Sequence, residues 1–405
     1  MNQVLIVGGG QAAFSIANKL NDLGFDGKLI LFTEEKLIPY QRPPLSKQFL
    51  EGTLSKERLL FRPRKFYEQR NIELNTNTKV VSIDKSRKEI TLYNKKIIPY
   101  NKLFLATGSG PRQLPENLGK NLKRIYCLRN YTDVDKIRHE FSKKNRLLII
   151  GGGYIGLETA SIARKKGLQV SIIESADRIL KRVTSEVTSE FIRKMHIRNG
   201  VKILEDVVIS EVLSEERVFT GVKLNDGTSL KGDFAIVGIG SIPNTDLAVR
   251  AGLKVSNGID VNEFCQTSDE DIFAAGDCTN FPYKDKRLRL ESVGNAIQQG
   301  EIAAMNCMGF DIAHIANPWF WSDQYDSKLQ MAGINSGYDK VLERKTEKGV
   351  SFWYFKKNQL ISIDAINEPT AYMVAKKLIE KSQTPNQHLI SDIKFNLKLL
   401  LKNLK

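Results

Sequence analysis

Cysteine is scarce in this 405-residue chain: Cys127, Cys265, Cys278 and Cys307 lie far apart, with no CxxC or CxxxxC pair. That spacing excludes a redox dithiol or half a zinc site and leaves the four as buried small hydrophobes, with no metal site expected. No run of about 18 apolar residues is present, so no membrane-spanning helix is expected. Met1, Asn2 and Gln3 lead straight into an apolar strand without the basic region and cleavage site of a secretory signal, which makes the cytoplasm the expected compartment. The 61 Lys and Arg residues are spread along the chain and match no nucleic-acid motif, so no nucleic-acid partner is expected. Against 46 acidic residues they give a net charge of +15, either a field for an acidic partner or general solvation, and composition does not separate the two. The balance of 41% hydrophobic and 26% charged residues is that of an ordinary globular chain, and the length implies two or three domains.

What is present begins with a repeated grammar. Val4, Leu5, Ile6 and Val7 form a β-rich apolar run, followed by Gly8, Gly9, Gly10, Gln11, Ala12 and Ala13, a helical stretch to about Leu23 and a strand over 28–32. The pattern returns as a strand over 146–150, then Gly151, Gly152, Gly153, Tyr154, Ile155 and Gly156, a helix to about Lys166 and a strand over 169–173. A glycine-rich turn between strand and helix lets backbone N–H groups at the positive end of the helix approach a pyrophosphate. Gly8, Gly10 and Ala13 give GxGxxA, and Gly151, Gly153 and Gly156 give GxGxxG, both in the strand–turn–helix context the motif demands. Two dinucleotide sites follow.

An acidic residue is expected at the end of the second strand of each unit, where a carboxylate accepts hydrogen bonds from ribose hydroxyls. Glu34, or its neighbour Glu35, and Glu174 fit, although strand ends are often acidic by chance. A carboxylate at Glu174 repels the 2′-phosphate of NADP and so favours NADH, while Arg178 is close enough in sequence to soften that preference. Further strands are expected over 79–83, 89–93, 222–224 and 234–238, with Asn225, Asp226 and Gly227 as a turn. Runs over 340–343, 350–355 and 359–364 and a helix over 370–381 suggest a third, α+β domain. The Leu- and Lys-rich stretch 391–405 reads as a packed amphipathic terminus rather than a membrane anchor.

Two short segments extend the pattern. Leu103, Phe104, Leu105, Ala106, Thr107 and Gly108 form one, and Thr267 through Phe273, Ala274, Ala275, Gly276 and Asp277 the other. In this order with the two fingerprints they resemble the flavoproteins with two dinucleotide-binding domains. That resemblance implies an α/β fold of two Rossmann-like domains, one for FAD and one for NAD, plus a C-terminal α+β domain. It also implies that Ala106, Thr107 and Gly108 link the two and that Asp277 bonds the flavin ribityl chain. The expected boundaries are 1–108 with 245–318 for FAD, 109–244 for NAD and 319–405 for the C-terminal domain.

At family level, four segments carry a likeness: Pro39, Tyr40, Gln41, Arg42, Pro43, Pro44, Leu45, Ser46 and Lys47; Gly151 through Leu157 and Glu158; Glu291, Ser292 and Val293; and Pro318, Trp319, Phe320, Trp321, Ser322, Asp323, Gln324 and Tyr325. They resemble the NADH-dependent ferredoxin reductases of bacterial cytochrome P450 and ring-hydroxylating dioxygenase systems, with putidaredoxin reductase a near relative. The likeness runs from about residue 3 to about residue 370. It implies FAD contacts from Ala12, Glu34, Lys47, Val80, Arg129, Asp277 and Val293, with Thr107 and Trp321 near the ring system. Arg42, Ala106 and Gly108 join that set, and Ile155 and Gly240 join the NADH set. The one departure inside a fingerprint is Ala13 in place of glycine, which the fold tolerates.

Lys47 and Glu158 stand apart. A lysine ammonium beside the flavin would stabilise negative charge on the reduced ring, and Glu158 could pair with it and bind the nicotinamide carboxamide. The bland alternative is a surface lysine and a glutamate held by the helix dipole. Relatives that reduce disulfides, peroxide or coenzyme A disulfide need cysteine near the flavin, and none exists between Met1 and Tyr126. The chain also holds no cysteine set for an iron–sulfur cluster, so the cluster must belong to a partner. The expected activity is therefore electron transfer from NADH through FAD to an acidic [2Fe–2S] ferredoxin. Alternatives are a reductase of rubredoxin, monodehydroascorbate or a quinone-like acceptor, or, from another class, a redox or interaction protein akin to apoptosis-inducing factor.

Overall fold

Each glycine-rich turn leaves the C-terminal end of the middle strand of a five-stranded parallel sheet. In the first sheet of the computed structural model the order is Ile272–Ala274, Lys102–Leu105, Gln3–Val7, Lys28–Phe32 and Ile72–Asn75. In the second it is Val201–Leu204, Gln169–Ile173, Arg146–Ile150, Phe234–Val237 and Ile125–Cys127. The middle strands are near-continuous apolar runs because helices or strands cover both faces of a parallel sheet. Val4 and Ile6 pack with Ile16, Ala17 and Leu20 of the helix Gln11–Asp22, while Leu5 and Val7 face the opposite core with Ile90 and Phe281.

The structure describes residues 3–119, 121–141 and 144–402. It divides into two units: Met1–Arg42, Leu54–Gly110 and Ser241–Pro318 form the first, and Pro43–Thr53, Pro111–Gly240 and Trp319–Lys405 the second. The short excursion Pro43–Thr53 therefore carries Ser46 and Lys47 into the unit of the second fingerprint. Most expected strands and helices appear with ends shifted by one or two residues, and the helix expected over 370–381 is Pro369–Glu380 with proline at its first turn; the strand expected over 222–224 is longer, Val218–Leu224, because it pairs along its length with Ile209–Glu215.

The C-terminal portion is a five-stranded antiparallel sheet ordered Trp319–Gln324, Ser327–Gly333, Gln359–Ile366, Val350–Lys356 and Lys340–Lys345. Trp353, Phe355 and Ile363 pack on Ala371, Val374 and Leu378 of the helix Pro369–Glu380. Side chains alternate across a strand, so Tyr354 points the other way, where its hydroxyl meets Ser185 and Thr188 at the start of the helix Glu186–Arg198. The terminal segment packs through Leu397, 4% exposed, with Phe395, Leu400 and Leu401 against the same core. Met1, Asn2 and the last three residues of the 391–405 stretch lie outside the described residues. Among the described residues no helix is long and apolar enough to cross a membrane, and no group of His, Cys, Asp and Glu is placed to hold a metal ion.

Candidate active site

The two glycine turns follow one steric logic. Gly8 takes φ +140°, and a Cβ there would stand 2.1 Å from the Ala106 carbonyl oxygen. Gly151 takes φ +105°, and its Cβ would meet the Gly238 carbonyl oxygen at 2.5 Å. Both are glycines because the backbone must press against the neighbouring strand. The middle glycines differ: a Cβ on Gly10 would find only Arg42 Nε at 3.9 Å, and one on Gly153 only the Gly238 oxygen at 3.8 Å. These positions are crowded by nothing in the protein, so they leave a cradle open to a pyrophosphate. Gly156 is required by packing, its Cβ meeting Gly151 O at 2.6 Å, whereas Ala13 fills the same place in the first turn fully buried.

Around the first turn, the first unit gathers most of the expected FAD set. Gly276 turns at φ +87° against the Ala12 methyl, which brings Asp277 to the fingerprint helix. Asp277 accepts a hydrogen bond from Ser109 at 3.3 Å. The Arg42 guanidinium meets Glu35 at 2.5 Å and stacks over the Tyr40 ring at 5.0 Å. Burial works against the Arg42 charge, but Tyr40, Glu35 and Asp277 outweigh it and raise its pKa. Of the two acidic candidates, Glu35 is thus committed to Arg42 and Tyr40, while Glu34 is exposed at the strand end with Lys79 at 3.4 Å. Thr107 donates to the Asn244 carbonyl at 2.6 Å, Val80 is buried at the start of a strand, and Val293 opens the helix Val293–Cys307. Beside Gly276, the buried Gln299 Nε2 and Asn295 Oδ1 have no hydrogen-bond partner in the protein. An orphaned donor and acceptor next to an open cradle fit a polar cofactor such as FAD.

The second unit holds the residues expected to bind NADH. Glu174 accepts from the Gly152 N–H at 2.7 Å and from the Ala176 N–H at 2.8 Å, so its carboxylate braces the fingerprint turn and retains lone pairs for ribose hydroxyls. Arg178 donates to the carbonyls of Thr184, Lys181 and Ser185, which ties its guanidinium to its own loop. Ile155 is exposed at the helix start, and Gly240 turns at φ +112° near the Arg182 guanidinium. Three residues of the expected FAD set also belong to this unit: Lys47, Arg129, which donates its N–H to Asp133, and Trp321, which stacks on Trp319 at 5.6 Å.

Lys47 and Glu158 are neither exposed nor apart. Their charged atoms are 2.8 Å from each other, with the residues 8% and 3% exposed. Ser46 donates to the same carboxylate oxygen, and Ser322 donates to the other at 2.6 Å. A buried charge is tolerated only when it is paired and its remaining lone pairs are filled, and here both conditions hold. The two serines escape reading by residue type alone. The signal for Ser322 was the period of two in the Trp319 to Tyr325 string, which sends Trp319 and Trp321 to one face and Ser322 and Gln324 to the other.

Three further buried polar groups, Asp364, His196 and His314, likewise carry no signal in residue type. Asp364, fully buried, accepts at one oxygen from Thr184, Tyr354 and Thr188 at 2.6, 2.6 and 2.9 Å; burial raises its pKa against the pull of these hydroxyls. Burial also pushes His196 and His314 down to about 4, below the ordinary 6.5. The unfolded chain then takes up protons between about pH 6.5 and 4 that the native histidines refuse, so stability present above that window is lost as pH falls through it. The loss is roughly 3 kcal/mol per histidine at most, partly offset by Asp364, whose raised pKa has the opposite sign. Urea unfolding is expected to show the midpoint falling from pH 7 to pH 4.5, with a shallower fall in His314→Phe; a pH-independent midpoint would refute it.

The cysteines complete the picture: Cys265, Cys278 and Cys307 are buried, Cys127 is partly so, and burial raises every thiol, Cys127 to about 11. Residues 2–300 match the pyridine nucleotide-disulphide oxidoreductase family, and residues 319–401 match the reductase C-terminal domain. Rhodocoxin reductase of Rhodococcus erythropolis is 38% identical, over 98% of this chain and 94% of its own length. Putidaredoxin reductase CamA of Pseudomonas putida is 37% identical, over 99% and 97%. The crystal structure of the covalent putidaredoxin reductase–putidaredoxin complex superposes with a TM-score of 0.96 at 36% identity, covering 100% of this chain and 99% of that one. With matches of this extent along nearly its whole length, the chain belongs to the pyridine nucleotide-disulphide oxidoreductases, in the group of ferredoxin reductases that carry a reductase C-terminal domain.

Proposed function

We propose that the chain is an FAD-dependent reductase that takes electrons from NADH and delivers them to an acidic [2Fe–2S] ferredoxin supplying a cytochrome P450 or Rieske oxygenase. The observation that carries this reading is the buried ion pair between Lys47 and Glu158 of the second fingerprint helix, in a chain whose four thiols are all raised by burial and form no disulfide. Residues 1–108 and 245–318 form the FAD domain, 109–244 the NAD domain and 319–405 the C-terminal domain. Gly8, Gly10, Ala12 and Ala13 would seat the FAD pyrophosphate, Glu34 its ribose and Asp277 its ribityl chain. Arg42, Val80, Ala106, Thr107, Gly108, Arg129, Val293 and Trp321 would line the remainder. Gly151, Gly153, Ile155, Gly156, Glu174 and Gly240 would hold NADH. Bound FAD supplies what no side chain here can, acceptance of two electrons from the nicotinamide and their release one at a time.

With FAD bound, the Lys47 ammonium would stabilise the negative charge the ring gains on reduction, and Glu158 would fix that ammonium while offering its carboxylate to the nicotinamide amide. The preference for NADH rests on the Glu174 carboxylate at the fingerprint turn and on the engagement of Arg178 with carbonyls of its own loop, so that a 2′-phosphate would meet an anion without a compensating guanidinium. The acidity of the partner rests on the +15 charge of the chain.

Two measurements test the reading. Stopped-flow flavin reduction is expected to be at least tenfold faster with NADH than with NADPH, and a preference for NADPH overturns the Glu174 assignment. Steady-state NADH oxidation is expected to require added [2Fe–2S] ferredoxin and to slow steeply as ionic strength rises from about 0.01 to 0.15 M. Turnover with rubredoxin but not with ferredoxin, or tight DNA binding in place of turnover, would sink the acceptor assignment; a flat salt response would sink the steering.

A further inference from the structure

Glu158 is the end of a longer chain of hydrogen bonds. Ser322 donates to Glu158 Oε1 at 2.6 Å, Gln324 Nε2 donates to Ser322 Oγ at 3.0 Å, His196 Nε2 meets Gln324 Oε1 at 2.8 Å, and the Tyr325 hydroxyl meets His196 Nδ1 at 3.2 Å. Ser322, Gln324 and His196 are 0%, 2% and 0% exposed, so water does not substitute for the links among them. The chain also has a direction. A carboxylate only accepts, so Ser322 must donate to it and can accept only from Gln324. The Gln324 amide then presents its oxygen to His196, whose Nε2 must carry the proton, and Nδ1 is left to accept from Tyr325. Every donor points toward Glu158, and hydrogen bonds aligned in one sense strengthen one another. The imidazole is neutral through the working range because burial holds it near 4, so the Nδ1 lone pair is retained.

We infer that Ser322, Gln324 and His196 are positioning residues, a one-directional donor chain that fixes the Glu158 carboxylate against Lys47 and thereby sets the rate at which NADH reduces the flavin. The inference rests on the reading of Lys47 and Glu158 as the reductive site. It accounts for an unbroken polar file that ends on Glu158, since an unfilled member would leave a buried polar group without a partner. The chain's polarity is set by Glu158 itself. In Glu158→Gln, the Lys47 ammonium and Ser46 hydroxyl demand the amide oxygen, which turns the NH₂ group toward Ser322. Ser322 must then accept, Gln324 must flip, and His196 must move its proton to Nδ1.

The test uses the FAD-loaded protein labelled with ¹⁵N-histidine, with the His196 signals among the four histidines assigned by loss in His196→Gln. The expected result is an Nε2–H tautomer at His196 in the native protein and Nδ1–H in Glu158→Gln. In stopped flow, Ser322→Ala is expected to lower the limiting rate of flavin reduction about tenfold with little change in the apparent Kd for NADH, and Ser322→Thr to restore it. An Nδ1–H tautomer in the native protein overturns the inference, and does so without any variant that must fold. A slow Glu158→Gln beside a Ser322→Ala at native speed also overturns it while leaving the Lys47–Glu158 reading intact. Native-speed reduction in Glu158→Gln instead removes that reading and the inference with it.

Discussion

Gly8→Ala is expected to yield a colourless protein that does not take up FAD, whereas Gly10→Ala folds normally and binds FAD at least tenfold more weakly. The contrast follows from where each added methyl would go. At Gly8 the methyl would lie 2.1 Å from the Ala106 oxygen and 2.6 Å from its carbonyl carbon, atoms just beyond the strand Lys102–Leu105 that runs parallel to Gln3–Val7. The Gly8 N–H is itself bonded to the Phe32 carbonyl at 2.8 Å on the other side, so the turn has no direction in which to retreat. Positive φ adds about 1–3 kcal/mol for a residue with a side chain, and a backbone clash of this kind belongs to the rare substitutions that cost more than about 4 kcal/mol. Gly10 is at φ −100°, ordinary for alanine, and nothing in the protein lies closer than 3.9 Å to its added Cβ. A methyl there costs little in the folded apo-protein and occupies the space a pyrophosphate needs. Bound FAD read from absorbance, with thermal unfolding of each variant followed with and without added FAD, separates the outcomes. Equal flavin content in both variants would dissociate the first fingerprint from FAD.

That pair of glycines also shows what the sequence could and could not yield. A fingerprint specifies the backbone directly, because glycine spacing, the apolar strand before it and the helix after it are all local, and both Rossmann sheets were legible from it. The acid after the second strand was legible only to within one residue. Glu34 and Glu35 are chemically equivalent on paper, and the fold separates them by giving Glu35 to Arg42 and Tyr40. Likewise Lys47 and Glu158 could be named, but their burial could not, since it depends on Pro43–Thr53 joining the second unit and on Ser322 arriving from a strand 164 residues further on. Asp364 and His196 carry no local signature at all. Their meaning lies in partners contributed by the helix Glu186–Arg198, the loop before it and the C-terminal sheet.

Replacing either member of the buried pair is expected to be costly in two separable ways. Lys47→Met leaves the Glu158 carboxylate buried with only Ser46 and Ser322 as partners, and Glu158→Gln leaves the Lys47 ammonium with the amide oxygen and the Pro43 carbonyl at 3.4 Å. Breaking a buried pair from one side typically costs about 3–5 kcal/mol, because the remaining charge is stranded in a medium that solvates it poorly. The two serines hold Lys47→Met to the lower part of that range. In the double variant Lys47→Met/Glu158→Gln no charge is stranded, so stability is expected to recover by about 2 kcal/mol or more relative to the sum of the single losses, a coupling typical of direct contacts. The rate of flavin reduction by NADH behaves differently. It needs the ammonium where negative charge develops, so it is expected to fall about 100-fold in Lys47→Met and to stay there in the double variant. Urea unfolding and stopped-flow reduction on the same four proteins form the cycle. Recovery of both quantities together would mean that the pair merely holds the fold. Recovery of stability without recovery of rate identifies Lys47 as the group that acts on the flavin and Glu158 as the one that holds it in place.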